Sequence, residues 1–167
     1  ISGAEASRIG RALASVASWA AEIVVVLNAE VADDTEAIAT RHGARVYREP
    51  WKGHVAQKNS AATKATQPWV LGLDADEAVT PGLAAEFASL FADPARLERC
   101  AAYSFPRLTS FCGRWIRHGD WYPDRQTRLW RRGSARWGGI DPHDKLEVDG
   151  RVGRLRSDLL HYTAESI

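Results

Sequence analysis

The 167-residue sequence has no methionine and only two cysteines, Cys100 and Cys112. The two thiols could form one disulfide, but free thiols of a cytosolic protein are the simpler interpretation, so we expect a cytoplasmic location. No apolar run approaches the roughly 18 residues that a membrane-spanning helix needs, and no signal-peptide pattern opens the chain. Because methionine is absent and the first residue is Ile1, we expect a chain that is truncated at both ends.

The net charge is low, at +1, but the charges are unevenly distributed. Residues 1–95 carry eight Lys/Arg against twelve Asp/Glu, whereas residues 96–167 carry 14 against nine. A net charge near zero and the lack of a basic helical pattern argue against nucleic-acid binding. The second half contains 13 arginines and four of the seven tryptophans, a combination that suits phosphates and sugars. A basic surface over buried tryptophans explains the same composition equally well.

Strand and helix patterns alternate along the first 92 residues. Short β-branched runs predict strands, and amphipathic stretches with capping residues predict helices. This alternation predicts a parallel sheet with helices on both faces. From about residue 100, short strand patterns separated by Gly, Asp and Pro predict antiparallel additions or loops. The predicted elements of the first part are strands at 22–27, 44–50 and 69–74, helices at 33–43 and 54–66, and a helix from Pro81 with Thr80 as N-cap and Leu83, Phe87, Leu90 and Phe91 on its apolar face.

The stretch "WVLGLDADEAV", residues 69 to 79, places three carboxylates directly after a strand-like run. Asp74, Asp76 and Glu77 repel one another unless a cation lies between them. In parallel sheets ligands bind beyond the carboxyl ends of the strands, which is where we expect these side chains. Asp-x-Asp suits a hard divalent cation that bridges carboxylates to substrate phosphates. An acidic turn without a ligand is the alternative, since such turns are common.

Several motifs occur together and in order along the chain. They are "PWKGHVAQKNSAATKATQPWVLGLDADEAVTP", "GRWIRHGDWYPDRQTRLWRRGSARW", "PHDKLEVDGRVGRL" and "LLHYTAESI". In this order they resemble the family 2 glycosyltransferases, and in particular their lipopolysaccharide core glucosyltransferase-like group. The resemblance covers nearly the whole chain, and the combination of motifs is far more specific than any one of them.

The resemblance implies a GT-A (Rossmann-like) α/β fold with a mixed, mainly parallel sheet, helices on both faces and an acceptor-side subregion of short strands and loops. It implies one catalytic domain, with residues 1–99 as the nucleotide-sugar-binding part and residues 100–167 as the acceptor-side part. The family's first strand should precede "GAEASRIGRAL", so we expect that only Ile1 and Ser2 remain of it.

The function implied by the resemblance is that of an inverting glycosyltransferase. Its donor is expected to be a UDP-sugar, its cofactor Mg²⁺ or Mn²⁺, and its acceptor a saccharide or glycolipid in lipopolysaccharide or cell-envelope polysaccharide synthesis. Peripheral contact of the protein with the inner face of the membrane is an option that the resemblance leaves open. Two alternatives remain, a nucleotide-sugar-binding relative without turnover and a nucleotidyltransferase-like enzyme. The latter requires a Gly-rich phosphate loop followed by a Lys near the first strand, and the sequence shows no such loop.

On the donor side, the resemblance assigns a role to each matching position. Asp76 is expected to coordinate the metal on the donor diphosphate, with Asp74 near the ribose or in the outer shell of the metal. Lys58 is expected to neutralise the nucleotide-sugar, although a solvated helix lysine is the alternative. Asn28 takes the place of an Asp that contacts the base. Glu77 is a supporting or acceptor-side residue.

On the acceptor side, Asp144 occupies the acidic place of the family's His-Glu pair and is the expected catalytic base. An ordinary loop carboxylate is its alternative role, and Asp141 is the nearest rival, although its place before Pro142 favours a turn. Strand alternation sends Arg128 to the same face as Trp130, and Arg128 is the best candidate for holding a diphosphate or an anionic acceptor. A surface arginine paired with an acid is its alternative role. Trp121 and Tyr122 are candidate platforms on which a sugar ring stacks. His143 could orient Asp144, bind the acceptor or simply pack, and these three roles stay open. His161 is expected to be a packing residue, although it could join the metal site.

Overall fold

The computed structural model describes residues 1–140 and 143–163. Over these residues the chain forms five short helices, eleven strands and a 3₁₀ turn at Gly119–Trp121. The helices are α1 (Ile9–Ala14), α2 (Thr35–Arg41), α3 (His54–Lys64), α4 (Pro81–Phe91) and α5 (Pro94–Leu97). The strands are β1 (Val24–Asn28), β2 (Arg45–Glu49), β3 (Trp69–Leu71), β4 (Glu77–Val79), β5 (Ala102–Phe111), β6 (Arg114–Trp115), β7 (Asp124–Arg131), β8 (Ala135–Ile140), β9 (His143–Val148), β10 (Val152–Arg154) and β11 (Leu159–Tyr162).

The first two strands form a small parallel sheet, as predicted. β1 pairs with β2 in the register Val26↔Tyr47, and the intervening α2 returns the chain to the same end. Gly43 ends this helix with φ of +79°, a left-handed conformation that glycine adopts without a Cβ clash. The predicted α/β alternation is therefore confirmed for this part of the chain.

The larger sheet draws its strands from both halves of the sequence. Its order is β3-β7-β5-β11-β4, and β10 and β6 pair with β5 outside this path. We predicted a parallel third strand, but β3 pairs antiparallel with β7, and β4 pairs antiparallel with β11. A buried apolar strand has the same composition in either orientation, and the partner of β3 follows it by about 60 residues. The predicted parallel pairing therefore does not extend to β3.

Helix α4 covers the main apolar core. Thr80 Oγ1 accepts a hydrogen bond from Leu83 N at 3.1 Å, the predicted N-cap contact, and Pro81 is the first helical residue. Phe87 packs its ring against Phe105 of β5 with centroids 5.6 Å apart. The predicted apolar face is correct for Leu83, Phe87 and Leu90, which are all buried, but Phe91 is 44% exposed. Phe91 differs because it is the last residue of the helix, where its ring packs against Trp69 with centroids 6.1 Å apart.

Both cysteines are free thiols in the structure. Cys100 is buried, whereas Cys112 is partly exposed in the turn between β5 and β6. No helix within residues 1–140 and 143–163 has the length and apolar character needed to cross a membrane.

Strands β8 and β9 form a third, antiparallel sheet. A groove of about 610 Å³ lies between the β1–β2 sheet and the larger sheet. β1 uses one edge to pair with β2, and on its other edge Ser2 makes an isolated parallel bridge to Leu27. The bridge consists of hydrogen bonds from Ser2 N to Val26 O and from Asn28 N to Ser2 O, both 3.0 Å long. Such pairing is what the expected remnant of a first strand would form. The walls of the groove are mostly apolar and include Ile9, Leu13, Val25, Ala62, Leu71 and Phe87.

We expect four β-branched residues added before Ile1 to stabilise the chain, because they continue the parallel pairing of Ser2 with β1 and cover the groove. The free energy of unfolding should rise by at least about 1 kcal/mol, or about 2–4 °C in Tm. Thermal unfolding followed by circular dichroism measures the change. A four-residue Gly-Ser extension is the control. Equal Tm values for the two extensions would show that the groove does not accept a strand.

Candidate functional site

Arg128 lies at the centre of a buried ion cluster. It belongs to β7 and is only 5% exposed. Its Nη2 donates to Asp74 Oδ2 at 2.9 Å and to Glu77 Oε1 at 3.1 Å. Arg107 of β5 lies 3.5 Å from the same Glu77 oxygen and 2.7 Å from Asp124. Two arginines on neighbouring strands therefore compensate the charge of the acidic turn between β3 and β4.

The acidic turn is closed by its own hydrogen bonds. Glu77 N donates to Asp74 O at 3.0 Å, and Asp74 N donates to Glu77 Oε2 at 3.0 Å. The Glu77 carboxylate therefore accepts from both the backbone of the turn and the guanidinium of Arg128, which explains how it can be 1% exposed.

Burial and cations act in opposite directions on these carboxyl groups. Burial alone would raise the pKa of Asp74, but the charges of Arg128 and Lys58 hold that pKa well below its usual range. Burial dominates at Glu77 and raises its pKa in spite of Arg128. The pKa of Arg128 is raised, because Glu77 and Asp74 outweigh the effect of its burial. At neutral pH the cluster therefore keeps Asp74 ionised.

Lys58 connects this cluster to Asp144. Its Nζ lies 3.2 Å from Asp74 Oδ1 and donates to Asp144 Oδ2 at 2.8 Å. The ammonium also lies 4.5 Å from the ring centroid of Trp137, a cation–π contact. The next residue of α3, Asn59, holds the Trp137 backbone with two hydrogen bonds of 2.9 Å. Helix α3 therefore brings Asp144 of β9 beside the acidic turn.

Asp76 lies apart from the cations of the cluster. Its Oδ2 is 3.5 Å from His161 Nε2, and its backbone oxygen accepts from Tyr162 N at 2.8 Å. The other ring nitrogen of His161, Nδ1, lies 3.3 Å from Thr109 Oγ1. Burial alone would raise the pKa of Asp76, but its hydrogen bond with His161 lowers it. In the described ranges no Lys or Arg pairs with Asp76, so its carboxylate and the His161 imidazole form a separate pair.

Three other predicted residues do not contact the ion cluster in the part of the chain that the structure describes. Asn28 ends β1, and its Oδ1 accepts from Glu30 N at 3.2 Å. His143 is exposed at the start of β9. Trp121 is 48% exposed and packs on Phe111. The rival base Asp141 lies outside the described residues.

Sequence reasoning missed Trp137, Asn59 and Arg107. Trp137 contacts both Lys58 and Arg128, since its ring centroid is 4.5 Å from Lys58 Nζ and 5.3 Å from Arg128 Cζ. A Cβ at Gly72 would lie 3.1 Å from the Trp137 ring, so this glycine makes room for the indole. A signal was present for two of them, because Asn59 follows Lys58 in the "QKN" motif and Trp137 precedes two glycines.

The shared face of Arg128 and Trp130 is confirmed. Trp137 contacts the Arg128 guanidinium and also the Trp130 ring, whose centroid is 6.1 Å away. Strand alternation therefore predicted correctly which side chains of β7 turn toward the site.

Comparison with known proteins identifies the family. The family model described as glycosyl transferase family 2 matches residues 4–146, which is most of the chain. A Rickettsia felis protein described as an uncharacterized glycosyltransferase is 33% identical over 98% of this chain and 60% of its own length. LpsC of Rhizobium meliloti, a lipopolysaccharide core biosynthesis glycosyltransferase, is 28% identical over 95% of this chain and 59% of its own length. The chain thus spans about three fifths of the length of these curated relatives.

A solved structure shares the fold. The structure of S. aureus TarS 1-349 in complex with UDP-GlcNAc aligns with a TM-score of 0.69 and 13% identity, over 99% of this chain and 58% of the TarS chain. Together with the family match, this similarity confirms the predicted GT-A fold, a mixed α/β fold with a curled sheet.

We expect Arg128→Met to destabilise the fold by about 3–5 kcal/mol at pH 7, because the buried Glu77 and the half-buried Asp74 would lose their main counter-charge. Urea unfolding measures the loss. The difference from wild type should shrink below about pH 4. The reason is that Arg128 lowers the pKa of Asp74, and stability from a lowered carboxyl pKa is present above the unfolded pKa and lost as the pH falls.

Arg136→Met is the matched control, because Arg136 pairs with Glu147 at an exposed site. Breaking that pair should cost less than about 1 kcal/mol. Equal losses in both variants would contradict the central role of Arg128.

Proposed function

The chain belongs to glycosyl transferase family 2, and we propose that it forms the catalytic part of an inverting glycosyltransferase. The proposed reaction moves a sugar from a nucleotide-sugar donor to a saccharide or glycolipid acceptor. The observation that carries the proposal is that Lys58 joins Asp74 to Asp144, while Asp76, two residues after Asp74, pairs with His161 and with no Lys or Arg in the described ranges. UDP-GlcNAc in the TarS complex supports a UDP-sugar donor, and LpsC supports an acceptor in lipopolysaccharide synthesis.

Asp76 and His161 fit a divalent metal ion. The carboxylate oxygen and the imidazole nitrogen face each other at 3.5 Å, and neither pairs with Lys or Arg in the described ranges. No group of three His, Cys, Asp or Glu side chains suited to a metal occurs among the described residues, so donor oxygens and water must complete the coordination. An oxygen and nitrogen ligand pair favours Mn²⁺ over Mg²⁺. When bound, the ion would neutralise charge on the leaving diphosphate.

We assign the role of the catalytic base to Asp144. Its carboxylate accepts a hydrogen bond of 2.8 Å from Lys58 Nζ, which holds it beside the acidic turn and supports this assignment. An acceptor hydroxyl would give its proton to Asp144 while its oxygen bonds to the anomeric carbon, and the bond from that carbon to the donor diphosphate breaks. This single displacement inverts the anomeric centre and needs no nucleophilic side chain.

For Arg128 we propose a positioning role, in which it holds the acidic turn in place, instead of the predicted contact with a diphosphate or an anionic acceptor. Its deep burial and its contacts with Asp74 and Glu77 support this role. Lys58 pairs with Asp74 and with Asp144, the proposed base, and its side chain is 10% exposed against 6% for Arg128. We therefore assign to Lys58 the electrostatic contact with the donor.

We expect Asp76→Ala to abolish Mn²⁺-dependent binding of a UDP-sugar while the fold stays intact, because the change removes a metal ligand and relieves repulsion with Asp74. Isothermal titration calorimetry with and without Mn²⁺ measures the effect. His161→Ala should weaken the same binding, and the exposed Asp149→Ala is the control. Unchanged donor affinity of Asp76→Ala in Mn²⁺ would contradict the metal role.

We expect Asp144→Asn to lower sugar transfer by about 10²–10⁴ and to leave donor affinity near wild type. The amide keeps the shape and still accepts from Lys58, but it cannot take the acceptor's proton. Transfer to an oligosaccharide or lipid-linked acceptor is the assay, and Asp141→Asn, expected to be much milder, is the control. Donor binding without any transfer by the wild type would indicate a nucleotide-sugar-binding relative, whereas full transfer by Asp144→Asn would exclude Asp144 as the base.

A further inference from the structure

Strand β5 leads from the buried ion cluster to the surface. Its residues Arg107, Thr109 and Phe111 alternate with buried neighbours and therefore point to one face of the sheet, about 7 Å apart. Arg107 contacts the acidic turn, and Thr109 contacts His161 of the proposed metal pair. Phe111 is thus the next side chain on this face, directly beyond the pair of Asp76 and His161.

Phe111 and Trp121 form an exposed aromatic pair. Phe111 is 44% exposed and Trp121 is 48% exposed, and their ring centroids lie 6.1 Å apart at 60°. Single exposed aromatic residues are common, but two in mutual contact beside a polar site are typical of a binding surface.

Arg114 adds a positive charge to this surface. It lies opposite Phe111 in the antiparallel pairing of β5 with β6, so both side chains are on the same face. Arg114 is exposed and makes no ion pair with any residue in the described ranges. The neighbouring Arg117 differs, because its guanidinium lies 3.7 Å from Asp158. Arg114 is therefore available to an anionic group of a ligand.

We propose that Phe111, Trp121 and Arg114 bind an anionic sugar residue of the acceptor. This inference rests on the proposed function. The two aromatic rings offer apolar faces to the C–H groups of a sugar ring, and the guanidinium offers a planar pair of donors to a carboxylate or phosphate. The position beside Asp76 and His161 favours a saccharide over a lipid surface, because an acceptor must reach the site of transfer.

The test is a titration of the chain with trigalacturonic acid as the anionic probe and maltotriose as the neutral one. The indole N–H signals in two-dimensional NMR report binding residue by residue, and Trp121→Ala assigns the signal of Trp121. We expect the acid to shift this signal and to bind more tightly than maltotriose. Phe111→Ala and Trp121→Ala should each weaken binding of the acid by about 3- to 10-fold, the range for an aromatic contact.

Arg114→Gln separates charge recognition from stacking. It should weaken binding of trigalacturonic acid to about the level of maltotriose and leave maltotriose binding unchanged. Trp51→Ala is the matched control, because Trp51 is 46% exposed and lies outside this surface, before α3. All four side chains are exposed, and urea unfolding checks that each variant folds as stably as wild type.

Three results would overturn the proposal. These are equal binding of the two sugars by the wild type, an unchanged affinity of Arg114→Gln for the acid, and variants that lose binding only to phosphatidylglycerol vesicles. The last result would identify the surface as a lipid contact. UDP-sugar binding measured on the same variants separates this inference from the proposed function. If all variants bind the donor and none changes the affinity for trigalacturonic acid, only the anionic acceptor site is refuted. If the wild type does not bind the donor, the proposed function is refuted.

Discussion

The site depends on one buried cation between carboxylates. A buried charge costs several kcal/mol unless it is paired, so Arg128 requires Asp74 and Glu77 at hydrogen-bond distance. These contacts fix the acidic turn between β3 and β4 against β7, an interior strand of the larger sheet. Arg107 extends the network to β5, and Lys58 extends it to α3 and β9. Five separate segments are therefore positioned by charge pairing rather than by apolar packing alone.

The same network separates the carboxylates by role. Asp74 pairs with both Arg128 and Lys58. Their charges keep its carboxylate ionised, and each of its two oxygens already has a cationic partner. Asp76, two residues later, points to His161 and has neither cation as a partner. The repulsion that three adjacent acids would cause is thus relieved in two ways, by permanent cations at one end of the turn and by an imidazole at the other. We consider the second end the better place for a divalent metal.

The groove between the sheets links the stability of the fold to the site. Its walls come from α1, β1, α3, β3 and α4, and Lys58, Asp74 and Arg128 line it as well. Ser2 already pairs with β1 at this place, so a strand inserted there would approach both the apolar walls and the ion cluster. Coverage of the groove is therefore expected to affect both the free energy of unfolding and the environment of Lys58 and Asp74, which line the groove.

The sequence by itself determined most local elements and predicted the residues of the candidate site. Periodicity and capping predicted β1, β2, α3 and α4, and ordered motifs singled out Asp74, Asp76, Lys58, Asp144 and Arg128, four of which the structure brings into one ion cluster. Only the tertiary structure decided the partner of β3, the pairing of Asp76 with His161 and the contacts of Trp137 with Lys58 and Arg128. Most of these contacts join residues tens of positions apart, and they depend on how the sheets and helices pack against one another. The sequence pattern within one segment specifies its local conformation but not its distant partners.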